Sequence, residues 1–135
     1  MTFVSAEACE EAFYRSFRDN DLDTMDALWA THEDIVCVHP GRRPLAGRDE
    51  VLSSWRDILT APGRFDIRLE SLRMVRTDSL AVHFGLEIIR AGDDPREAAV
   101  SVVNVFERND DGWRMRIHHA GPIHEDMIRS DAPVH

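Results

Sequence analysis

From residue 65 to residue 120 the chain repeats with a period of two, and that pattern constrains its fold more than any other feature. Phe65, Ile67 and Leu69 open the pattern. Residues 79–90 continue it, with Leu80, Val82, Phe84, Leu86 and Ile88 on one side and Ala81, His83, Gly85, Glu87 and Ile89 on the other. In residues 96–108, Val100, Val102, Asn104 and Phe106 share a side. Such alternation marks strands with one face turned to a core. The phase slips between Leu69 and Leu72, which predicts a β-bulge and a bend in the first strand. Asp110-Asp111-Gly112 supplies a hairpin turn before a last strand over 113–120. There Trp113, Met115, Ile117 and His119 fall on one face, taken as the inner one, and Arg114, Arg116 and His118 on the other.

The first half is helical. Residues 5–18 bring Ala6, Cys9, Phe13 and Phe17 to one face behind Ser5, a residue suited to cap the first turn. Asn20-Asp21 ends that helix, and Asp21 caps a second one carrying Leu22, Met25, Leu28 and Trp29. A short strand, Ile35 to His39, stops at Pro40-Gly41. Gly47 opens a third helix over roughly residues 48–60, with Val51, Leu52, Trp55, Ile58 and Leu59 as its apolar stripe. Helices followed by a run of strands define an α+β chain. The expected fold is a single domain over residues 1–135. Three N-terminal helices pack inside a strongly curved, mostly antiparallel sheet, a cone or cystatin-like α+β roll. The tail from Gly121 either docks Ile123, Met127 and Ile128 or frays.

A formal charge of -9 without any run of basic residues excludes a duplex-binding stripe, so nucleic acid is not an expected partner. No apolar stretch is long enough to span a membrane, and no basic region followed by an apolar block marks a secretory signal, so a cytoplasmic location is expected. Cys9 and Cys37 are too few for a disulfide framework and read as buried free thiols. Seven histidines invite a metal, but no zinc-binding helix motif is present. His118 and His119 point to opposite faces of a strand, which leaves only a convergence of His39, His83 and His119. Neither a metal nor a cofactor is expected. Ser53, Ser54 and Ser71 lack the strand-turn-helix context of a nucleophile elbow.

Three segments carry a resemblance to a known family. The run from Asn20 to Ala30 resembles the second-helix entry of nuclear transport factor 2-like proteins. Val38-His39-Pro40, followed by Leu45-Ala46-Gly47-Arg48, resembles their first strand and third-helix start. Asn104-Val105-Phe106-Glu107-Arg108 with Asp111-Gly112-Trp113-Arg114 and His118-His119-Ala120 resembles the last hairpin of the SnoaL-like branch. The match covers roughly residues 5–122 and implies the cone fold, which hosts many unrelated functions. Similarity to ketosteroid isomerase puts His39 where that enzyme has its base, and Phe13, Asn104 and Trp55 where it has a first-helix Tyr, a protonated Asp and a second pocket Tyr. The closing strand is also similar to the association domain of calcium/calmodulin-dependent kinase II, with His119 kept six residues after Trp113 and Ile117 in place of a second His.

These readings converge on a pocket for a small apolar or weakly acidic organic molecule, entered between the third helix and the sheet. Phe13, Trp29, Trp55, Phe84 and Met115 are the expected walls; His39, Asn104 and His119 are the expected catalytic groups. His39 as a neutral base, with Asn104 or His119 polarising the substrate, would serve isomerisation, dehydration or cyclisation by proton transfer. Each polar group also has a structural reading, bonded to backbone or to its neighbours. Arg42 and Arg43 either hold an anion at the mouth or are solvated loop charges. The alternative to a pocket protein is a non-catalytic association module. Val103 and Val105 are too apolar for a water-facing surface, so a homodimer through the outer sheet face is expected under either reading.

Overall fold

A computed structural model describes residues 1–123. Met127 and Ile128, whose docking the sequence left open, lie outside the described residues, and the described chain ends with Ile123 half-buried. Helix α1 (Ala6–Asp19) begins where Ser5 Oγ accepts the Ala8 N–H at 3.0 Å, and it ends on Asn20 in the left-handed region. Helix α2 (Leu22–Leu28) is capped by Asp21, whose carboxylate accepts from the Thr24 N–H at 3.1 Å and the Thr24 hydroxyl at 2.8 Å. Strand β1 (Val36–Val38) and the two-residue β2 (Leu45–Ala46) precede α3 (Arg48–Thr60). The four long strands follow: β3 (Phe65–Arg76), β4 (Leu80–Ala91), β5 (Ala98–Asn109) and β6 (Gly112–Pro122).

The six strands form one sheet in the order β2-β1-β6-β5-β4-β3. Every pairing is antiparallel except that of β1 with β6. The expected meander is therefore present, and the parallel β1 completes the sheet beyond its last strand. The helices lie against the concave side, where Phe13, Met25, Leu28, Trp29, Ile35, Cys37, Val51, Trp55, Ile67, Phe106 and Met115 form one core. The fold class read from the sequence holds: three helices and a curved, mostly antiparallel sheet.

Two bulges bend the sheet. The first interrupts the β3–β4 register between Ser71 and Arg73, where the phase slip predicted it. Gly85 pairs with Ser71 there, and a Cβ on it would meet the Glu70 carbonyl oxygen at 2.7 Å, so the strands approach more closely than any side chain permits. The second bulge was not anticipated. Val105 pairs with Ile117 but Phe106 pairs with Met115, so Arg116 is an extra residue in β6. Beyond it the faces exchange: Met115 is inward, and so are His118 and Ala120. The expected inward His119 is instead exposed on the outer side, because one inserted residue reverses a period of two.

Candidate functional site

The concave face carries a row of polar side chains across three strands. Register sets His83 of β4 beside Asn104 of β5, and Asn104 beside His118 of β6. Glu87 lies four residues along β4 on the same face. Glu10 and Tyr14, one turn apart on α1, cover this row. All six are buried, with exposures of 6% or less.

Their hydrogen bonds form one directed network. Tyr14 donates its hydroxyl to Glu87 Oε2 at 2.8 Å. The Asn104 amide nitrogen donates to the Tyr14 oxygen and to Glu10 Oε2, both at 3.0 Å. With the nitrogen so used, Asn104 Oδ1 accepts from His118 Nδ1–H at 2.7 Å. His118 Nε2 therefore bears the lone pair, 3.9 Å from Glu87 Oε2. On the other side, His83 Nδ1 donates to Glu10 Oε1 at 2.5 Å, and His83 Nε2 meets the Ser71 hydroxyl.

Burial controls the charges. It raises Glu87 to about 7, outweighing the Tyr14 bond that favours the anion, and the neighbouring Glu10 charge raises it further. Burial raises Glu10 as well, against the bonds from Asn104 and the pull of His83. Burial drives His118 down to about 3, with His39 and His119 pushing the same way, so its imidazole is neutral at pH 7. The Tyr14 phenol is held far above its ordinary range by burial and by Glu87. At neutral pH the cone thus holds a carboxyl group able to change protonation, facing a bare imidazole nitrogen.

His39 ends the strand run one residue past β1, half-buried, its ring edge-on to Trp55 at 4.8 Å. Its Nε2 is 2.9 Å from Ser54 Oγ, which itself donates to the Val51 carbonyl at 2.7 Å. Nε2 accordingly carries the proton and Nδ1 the lone pair. Burial, and then Arg42, lower the His39 pKa and favour the neutral ring. Trp55 also faces His118 at 5.9 Å, so both imidazoles adjoin one indole.

The structure brings together some of the expected residues and separates others. Phe13 and Trp55 pack edge-on at 5.2 Å, and Phe13 also touches His118 at 4.9 Å. Trp29 and Met115 are fully buried in the same core. Phe84 is not a wall: it is 42% exposed on the outer face, because β4 turns its Ala81-His83-Gly85-Glu87 side inward. Asn104 is at the centre of the network, but neither His39 nor His119 contributes to it. His39, His83 and His119 do not converge. Ser54, Ser71 with Glu10 and the outer surface hold them apart. A first-helix tyrosine does reach Asn104, at Tyr14 rather than at Phe13. Glu10, Tyr14, His83, Glu87 and His118 were missed as site residues. Glu10 did leave a signal, as an acidic residue between Ala6 and Phe13 on the apolar face of the first helix, whereas Glu87 showed only as an acidic residue in an alternating strand. A groove of about 330 Å³ between α1 and β3, lined by Glu7, Glu10, Glu11, Tyr14, Arg18, Arg68 and Leu69, reaches the network from outside.

Helices held within a bent sheet, with a polar row at the centre of the concavity, define a nuclear transport factor 2-like α+β cone. The SnoaL-like domain model matches residues 6–124, and the chain belongs to that family. A Thiobacillus denitrificans structure is 36% identical, with a TM-score of 0.87 over 92% of this chain and 99% of its own. It is described as a candidate calcium/calmodulin-dependent protein kinase type II association domain. A Streptomyces avermitilis structure is 32% identical, with a TM-score of 0.80 over 87% and 93% of the two chains, and is described as a candidate dehydratase. A ketosteroid isomerase-like protein from Erwinia carotovora atroseptica shares the fold at 18% identity and a TM-score of 0.71, covering 87% and 93%. No curated protein matches. Among the described residues, no helix is long and apolar enough to cross a membrane.

Proposed function

We propose that the chain binds a small, mostly apolar or weakly acidic organic molecule in the cone and moves a proton on it without a cofactor, as in isomerisation, dehydration or cyclisation. The observation that carries this reading is the buried Glu87 carboxyl. It titrates near neutrality, is held by Tyr14, and faces the bare His118 nitrogen at 3.9 Å. A general acid-base works best when its pKa lies close to the working pH. His39 supplies a second neutral imidazole beside Trp55. Asn104 orients Tyr14 and His118 and through them Glu87, so its part is positioning. Among the residues singled out from the sequence, His39 and Asn104 retain roles, and Phe13, Trp55 and Met115 supply the apolar surround. The likeness to a candidate dehydratase at 32% identity supports chemistry of this class.

The test is proton exchange in deuterated water, followed by nuclear magnetic resonance over a panel of small carbonyl and β-hydroxycarbonyl compounds. The wild-type protein should accelerate exchange at a carbon next to the carbonyl. Glu87→Gln and His39→Ala should each reduce it by about 100-fold or more while the fold survives. Exchange unaffected by both substitutions, or absent for every compound the protein binds, would end the acid-base reading.

An association module is the second reading. It is favoured by the 36% identity with a candidate association domain and by the apolar outer face, where Leu80 and Phe84 are exposed and Val103 and Val105 are half-buried. On this reading the outer face pairs two copies, and the polar row serves to hold the cone's shape.

A further inference from the structure

Ser71, His83 and Glu10 come from β3, β4 and α1, yet they stand in one line. The Ser71 hydroxyl meets His83 Nε2, and His83 Nδ1 donates to Glu10 Oε1 at 2.5 Å. Glu10 uses its other oxygen to accept from Asn104 at 3.0 Å, which fixes the carboxylate's orientation. An ionised Glu10 can only accept, so in that state His83 Nδ1 carries the proton toward it and Nε2 is free to take one from Ser71. His83 and Glu10 are 6% and 5% exposed, whereas Ser71 is exposed at the bulge of an edge strand. A buried acid, a buried imidazole and an accessible hydroxyl in this sequence of bonds are the parts of an activated serine nucleophile. No nucleophile elbow is involved; Ser71 stands opposite Gly85 where the β3–β4 register slips, with its hydroxyl against His83.

We propose that Ser71 is a nucleophile, with His83 its base and Glu10 the group that orients and stabilises the imidazolium, and that it takes acyl groups from small esters. This activity is separate from proton transfer at Glu87. Ser71 Oγ adds to the ester carbonyl carbon as its proton passes to His83 Nε2. The tetrahedral adduct then expels the alcohol oxygen, which receives that proton from His83, leaving Ser71 acylated. Water repeats the sequence: its proton goes to His83, its oxygen to the acyl carbon, and the carboxylic acid leaves as the proton returns to Ser71. The groove between α1 and β3, lined by Glu10 and by Leu69, two residues from Ser71, has the volume for a small acyl donor.

The full-length protein is treated with an alkyl fluorophosphonate, which bonds to an activated serine oxygen through phosphorus and releases fluoride. The labelled peptides are then quantified by mass spectrometry. Ser53 and Ser79, two other exposed serines, serve as internal references within the same molecule. Ser71 should be labelled at least about 100-fold faster than either, the scale of general-base assistance. Ser71→Ala should remove the label and the hydrolysis of p-nitrophenyl acetate while leaving the circular dichroism spectrum unchanged. His83→Gln should slow labelling of Ser71 to the rate of the references. Labelling of Ser71 no faster than Ser53 and Ser79 would overturn the proposal, whatever the variants do. Ester hydrolysis that survives Ser71→Ala would do the same for the catalytic step.

Discussion

Glu87 and His118 titrate in opposite senses, and their juxtaposition makes a specific demand on stability. An acid whose folded pKa is raised binds more protons folded than unfolded. Its contribution is therefore fully favourable below the unfolded value of 4.5 and is lost as pH rises through about 7. A base whose folded pKa is depressed does the reverse. The neutral His118 costs nothing above the unfolded value of 6.5, and stability is lost as pH falls from there toward about 3. Between pH 4.5 and 6.5 folding simply moves a proton from one to the other, and the pair contributes little slope. Glu87→Gln removes one half of this compensation. The variant should gain stability relative to wild type as pH rises from 4.5 to 7, by about 3 kcal/mol in total, and level off beyond. Urea unfolding of both proteins at several pH values between 4.5 and 8 measures the difference. A constant difference across that range would mean that Glu87 is not the near-neutral group. Single residues were also where the sequence said least. Glu87 was visible as an acidic residue on the His83 side of β4, but alternation alone does not say which side is inward.

At the scale of elements, every long strand and helix was legible, and the two bulges were not equally so. The bulge in β3 is flanked by Leu69 and Met74, which record the change of face. The bulge in β6 falls in Met115-Arg116-Ile117-His118-His119, where apolar and histidine residues occur in both phases and either register is consistent with the pattern. That single extra residue decides which histidine enters the cone. Gly85 tests the first bulge. Alanine there would set a methyl group against the Glu70 carbonyl, a backbone atom that cannot move without breaking the β3–β4 pairing. Gly85→Ala should destabilise the protein by about 1–3 kcal/mol, the usual cost of forcing extra volume into a packed site. It should also displace Ser71 from His83. Thermal unfolding checks the first effect, and the histidine ring resonances of His83 the second. A variant as stable as wild type would show that the strands do not need this close approach.

At the scale of the whole molecule, the outer face of the sheet presents several apolar side chains. Phe84 and Leu80 are exposed, and Val103 and Val105 alternate with the inward Val102 and Asn104. If two copies pair there, Phe84→Glu should yield a monomer in sedimentation velocity with its helical and strand content intact, since the side chain contributes nothing to the interior. A wild-type protein that is already monomeric at micromolar concentration would remove the dimer from both functional readings. The same substitution leaves the polar row untouched, so it separates assembly from chemistry.

The sequence by itself determined the element order, the α+β class, most of the core and the family, because these depend on local periodicity, capping and turn residues that read along the chain. It also isolated Asn104 as the one strongly polar residue on the apolar face of its own strand. The tertiary structure alone decided which partners Asn104 meets. Glu10 and Tyr14 lie 94 and 90 residues away from it, and Ser71 and Glu10 reach His83 across 12 and 73 residues. Such pairings depend on strand register, on the two bulges and on where α1 rests in the cone. Of these only the β3 bulge left a mark in the local pattern; the rest did not, because a shift of one residue preserves the period while exchanging the faces.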